Sequence, residues 1–115
     1  MAFSGSCHCG RVTFTVDADL PSEAMSCNCS HCRRKGMLLA FFPGAQVKVA
    51  GETALKSYKF NKHVINHLFC ETCGTQPFGA ARGRDGTEMH AVNLRCVPEV
   101  DLETLTIQRF DGASV

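Results

Sequence analysis

Cys7-His8-Cys9-Gly10 and, far along the chain, Cys70-Glu71-Thr72-Cys73-Gly74 are two short cysteine turns, each ending in glycine. The spacings C-x-C and C-x-x-C let one turn of backbone aim two sulfurs at one ion, while neighbouring amides donate to those sulfurs. A glycine after the second cysteine can take a positive φ and let the chain fold back. The shared ending pairs the two turns into a closed four-sulfur site of Cys7, Cys9, Cys70 and Cys73. Between them lies Cys27-Asn28-Cys29-Ser30-His31-Cys32, which ends in Arg33 instead of glycine. Cys27, Cys29 and Cys32 then remain as three ligands with an open fourth position, the arrangement of a catalytic zinc. A thiol in that position would be deprotonated and nucleophilic at neutral pH. A competing arrangement joins Cys29 and Cys32 to Cys70 and Cys73, and leaves the C-x-C pairs without partners. A further alternative is a second structural site, completed by His31, His8 or Cys96.

The rest of the chain reads as the frame for these turns. Its 115 residues allow one domain, residues 1–115, with a modest core. Arg11 to Val16 alternates like a half-buried strand, and Met37 to Phe42 is an apolar run closed by Pro43-Gly44. Gln46 to Ala50, Leu55 to Phe60 and Val64 to Phe69 are further strand candidates, the last two flanking a turn at Asn61-Lys62. Asp85-Gly86 reads as a hairpin turn, with Thr87 to Leu94 as the returning strand. One short helix is expected from Ser30 to Lys35, capped by Ser30. The fold class is therefore mainly β with cysteine-bearing loops.

Eight cysteines are the compositional outlier. Nothing before Cys7 combines a basic stretch with an apolar one, and no apolar run approaches a membrane span. A cytoplasmic location is expected, where thiols stay reduced and clustered cysteines are metal ligands or catalytic groups. The formal charge of +1 falls by seven for the thiolates and rises by four for two zinc ions, to −2. That balance speaks against nucleic-acid binding through phosphates. Arg33-Arg34-Lys35 could hold an anionic substrate, offset a three-thiolate site, or form a solvated helix face. His31 reads as a proton relay or an exposed side chain, and His67 as packing against the closed site. Phe41, Phe42, Phe60, Phe69 and Phe78 read as core, and Cys96 as a buried free thiol at a strand end.

Three motifs in order carry a resemblance: Gly5 to Val12, Cys27 to Arg34, and Phe69 to Thr75. Together they resemble the glutathione-dependent formaldehyde-activating enzymes, a family that includes centromere protein V. The likeness covers nearly the whole chain. It implies a β-tent fold of stacked antiparallel sheets built around zinc. It implies a structural zinc on Cys7, Cys9, Cys70 and Cys73, and a catalytic zinc on Cys27, Cys29 and Cys32. The implied activity is of carbon–sulfur lyase type, on the adduct of formaldehyde and a small thiol such as glutathione. Under that reading Arg33 and Arg34 would hold the carboxylates of the thiol. The contrasting reading is an interaction module with two structural zincs and no catalysis. It calls for a basic tail or stripe, which the sequence lacks. A third is a zinc store or sensor.

Overall fold

Thr13-Phe14-Thr15-Val16 forms a strand with its threonines exposed and Phe14 and Val16 almost fully buried, as the alternation predicts. The computed structural model describes residues 2–60, 65–83 and 85–114. The turn expected at Asn61-Lys62 lies outside them. In chain order the strands are β1 (Phe3–Ser6), β2 (Thr13–Val16), β3 (Glu23–Cys27), β4 (Leu39–Pro43) and β5 (Val47–Ala50). They continue as β6 (Leu55–Tyr58), β7 (Asn66–Cys70), β8 (Phe78–Arg82), β9 (Glu88–Asn93) and β10 (Thr106–Phe110). A single α-helix, α1 (Ser30–Lys35), interrupts them among the described residues.

The strands form two sheets, one ordered β1-β2-β5 and the other β10-β3-β4-β9-β8-β7-β6. This is the mainly β, stacked-sheet architecture expected. One pair departs from antiparallel order: β10 runs parallel to β3, setting Phe110 beside Cys27. Parallel neighbours need a long connection, and residues 28–105 lie between these two.

The small sheet covers one face of the large one. Phe3, Phe14, Val16 and Val47 from the first meet Ala40, Phe78 and Val92 from the second in one buried cluster. Burying each large apolar side chain contributes about 1.5–3 kcal/mol. Because side chains alternate along a strand, the large sheet must present a second face. On β4, Ala40 and Phe42 belong to the inter-sheet core, whereas Leu39 and Phe41 point the other way. Met25, His67, Gly79 and Ala91 share that second face. The expectation that the phenylalanines are core holds for Phe78, at 3% exposure, but not for Phe41, at 48%. A continuous apolar run does not reveal which of its faces is covered.

Candidate metal centres

The first centre lies where the sheets are stapled together. β1 ends at Ser6 and the chain turns through Cys7 and Cys9 into β2, while β7 ends at Cys70 and turns through Cys73 into β8. Gly10 and Gly74 both adopt positive φ, 83° and 79°, as the sequence expects of the two turns. The amides of Gly10 and Gly74 donate to the carbonyls of Cys7 and Cys70 and close each turn. All four sulfurs lie within 4.8 Å of one another. The Cys9 Sγ is 3.6 Å from those of both Cys7 and Cys70. A tetrahedral zinc with bonds of about 2.3 Å separates its sulfurs by about 3.8 Å, so this donor set fits the ion. The Val12 amide donates to Cys7 Sγ. Hydrogen bonding from the Cys9 backbone, then from Thr75, draws the Cys73 thiol down to about 5. Cys7 and Cys70 are buried, and Cys9 is at the surface.

The second cluster joins the end of β3 to α1. Cys27, Cys29 and Cys32 bring their sulfurs within 4.8 Å of each other, and no other described His, Cys, Asp or Glu joins them. Neither the joining of Cys29 and Cys32 to Cys70 and Cys73 nor a fourth ligand from His31, His8 or Cys96 is formed. The helix cap is Cys29 and not Ser30: its Sγ accepts from the Cys32 amide at 3.3 Å. A sulfur in the capping position satisfies a free helix amide and favours the thiolate at once. Burial works against ionisation of Cys29, but donors led by the Cys32 backbone outweigh it and lower its pKa. Cys32 is pushed well up, by burial first and then by Cys29 and Cys27. Three crowded sulfurs of this kind cannot all ionise without a cation, and so the set also fits a metal ion.

The chain's end packs against this cluster. The Phe110 carbonyl accepts from the Asn28 amide, and Asn28 Oδ1 accepts from the Ala113 amide at 3.0 Å. A Cβ on Gly112 would run into Cys27 Sγ, which only glycine avoids. A cavity of about 380 Å³ opens over the three sulfurs, on the second face of the large sheet. Apart from the cysteines, the polar side chains in its described lining are His67 and Gln76. Gln76 is buried and its Oε1 accepts from Lys35 Nζ at 2.7 Å. His67 therefore faces the three-cysteine cavity, where the sequence had suggested packing against the closed site. His31 is half-buried beside it, with ring centroids 4.1 Å apart, and stacks towards Phe60 and Tyr58. Burial, then the nearby His67 and Lys35, pulls His31 down to about 4.

Arg33 and Arg34 are exposed and lie outside the cavity's described lining. Arg34 donates to the Ser30 carbonyl at 2.9 Å and borders an adjoining recess with His31, Lys35, Tyr58 and Phe60. Cys96 is partly buried in a 3-10 turn after β9 and belongs to neither cluster. Sequence reasoning missed Gln76 and Gly112. Neither had a local signal, because the role of each depends on residues far away in the chain.

A model of the family described as glutathione-dependent formaldehyde-activating enzyme matches residues 2–105. Among solved structures, the crystal structure of a Rhodobacter sphaeroides protein is similar, with a TM-score of 0.76 and 29% identity. The likeness covers 91% of this chain and 99% of that one.

Proposed function

The chain belongs to the glutathione-dependent formaldehyde-activating enzyme family, and from that premise we propose a zinc-dependent enzyme of carbon–sulfur lyase type acting on a thiol–aldehyde adduct. In this reading Cys7, Cys9, Cys70 and Cys73 hold a structural zinc, and Cys27, Cys29 and Cys32 hold a catalytic one. One observation carries the division: four sulfurs close one cluster, whereas three sulfurs floor a cavity in the other. Structural zinc sites are closed, and catalytic ones keep a position open.

A zinc bound by the three cysteines would supply Lewis acidity and lower the pKa of a thiol at its open position. The chain's own groups do the rest. The apolar walls exclude water, which strengthens every charge interaction inside. Lys35 holds Gln76 so that its amide borders the cavity. His67 is kept uncharged by burial, and by Lys35 after that, so its ring can accept a proton. In the lyase direction the carbon–sulfur bond breaks with its electron pair going to sulfur, the hydroxyl gives up its proton, and the aldehyde carbonyl forms. His67 is the proposed acceptor of that proton. S-hydroxymethylglutathione is the adduct to which the family's name points. Arg33 and Arg34 are the proposed holders of an anionic tail that reaches out of the cavity, and Arg34 is the better placed of the two. The charge balance and the absence of a basic stripe favour catalysis over an interaction module.

Exchange NMR of a hemithioacetal with and without the zinc-loaded protein tests the reading. Faster exchange between bound and free aldehyde is expected, most of all below the free thiol's own pKa. Unchanged exchange for several thiols, with both zincs present by metal analysis, rejects it.

A further inference from the structure

The described lining of the cavity over Cys27, Cys29 and Cys32 has the wrong chemistry for a tripeptide body. Its walls are Met25, Met37, Leu39, Phe41, Ile65 and Phe110, with Phe60 and Ala91 between them. Glutathione carries two carboxylates, an ammonium and two amides, and each one that enters the cavity would need a partner on leaving water. Only His67 and Gln76 offer polar side chains in the described lining, and the oxygen of Gln76 already accepts from Lys35. Arg33 and Arg34 stand outside it.

The rim points the same way. Phe41, Ile65 and Phe110 are 48%, 44% and 47% exposed, and all three border this one cavity. Scattered exposed apolar side chains are ordinary, but three converging on one concavity mark a binding site. At about 380 Å³ the cavity lies at the small end of small-molecule sites. The sulfurs on its floor orient a ligand with its reacting end inwards and its body along the walls.

We propose that this pocket takes a thiol or thiol–aldehyde adduct with an apolar body, an alkyl or aryl chain, in preference to glutathione. The proposal rests on the reading of the three-cysteine site as a thiol site and deepens it by naming the substrate class.

The test is a binding series on the zinc-loaded full chain, followed by amide and methionine-methyl shifts in NMR. The probes are butanethiol, hexanethiol, octanethiol, hexanol and glutathione. Affinity should rise about fourfold per methylene until the pocket is full. Hexanethiol should bind at least tenfold more tightly than glutathione, with shifts at Met25 and Met37. Phe41→Ser, at an exposed position, should weaken hexanethiol several-fold and leave glutathione unmoved. If hexanol matches hexanethiol while chain length still governs affinity, the apolar pocket stands and thiol binding at the cysteines fails. If glutathione equals or exceeds hexanethiol, or affinity ignores chain length, the apolar preference is overturned and the thiol site survives. If no probe binds, the pocket proposal is overturned outright.

Discussion

Replacing Cys70 by serine should cost the protein a large share of its stability, and the size of the loss follows from where the closed cluster sits. Cys9 and Cys70 are 61 positions apart and their sulfurs 3.6 Å apart. A metal clip there closes a loop of that length, which on the chain-entropy treatment of cross-links is worth about 4 kcal/mol. A domain of this size has about 5–15 kcal/mol in all. The same clip also fastens the β1–β2 hairpin to the β7–β8 hairpin, so losing it loosens the join between the two sheets. The melting temperature should fall by roughly 15 °C, and zinc content by one ion per chain. Cys29→Ser is the matched comparison. Its cluster spans only residues 27–32 and ties no distant strands together, so this variant should lose one zinc and keep its fold. Circular dichroism melts with metal analysis on both variants measure the difference. The reasoning is refuted if Cys70→Ser melts close to the parent with two zincs bound, or if Cys29→Ser unfolds as completely as Cys70→Ser.

Three further outcomes are expected. Gly112→Val should drive a Cβ into Cys27 Sγ, cost about 1–3 kcal/mol as an overpacked contact, and weaken zinc at the three-cysteine site more than at the four-cysteine one. Competition with a chelator, resolving fast- and slow-released zinc, reads this out, and equal release rates from the parent and the variant would contradict it. His31 is held at about 4, below its ordinary 6.5, by burial first and then by His67 and Lys35. Between those two pH values the unfolded chain binds a proton that the folded chain refuses, so stability is full above about 6.5 and is lost as pH falls towards 4. His31→Phe keeps a ring in the stack and should flatten that slope in denaturant titrations with zinc in excess. Parallel slopes for the two proteins would exclude the assignment. Arg33→Ala with Arg34→Ala should reduce affinity for glutathione, through loss of charge and bidentate hydrogen bonds, and leave hexanethiol within about twofold by the same NMR titration. A loss common to both ligands would place the arginines in the fold and not at the substrate.

Read by itself, the sequence determined what depends on neighbours a few residues apart. The two glycine-ended turns, the alternation of β2, the short helix from Ser30 to Lys35 and the grouping of the cysteines are all local consequences of bond geometry and side-chain period. The pairing of Cys7 and Cys9 with Cys70 and Cys73 was also within reach, because matching turn chemistry is a local signal. Some features were not legible. β1, β3, β8 and β10 carry small or mixed side chains, and their extended form comes from the strands beside them and not from their own pattern. The parallel placing of β10, which brings Phe110 and Gly112 onto Cys27, depends on which sheet edge was left open. The continuous apolar run of β4 shows that the strand has two apolar faces, but not that one meets the small sheet while the other lines a cavity. Only tertiary structure decides that, because covering a face takes residues from distant parts of the chain. The same cause turned Phe41 outward, His67 towards the three sulfurs, and Gln76 into the cavity wall beneath Lys35.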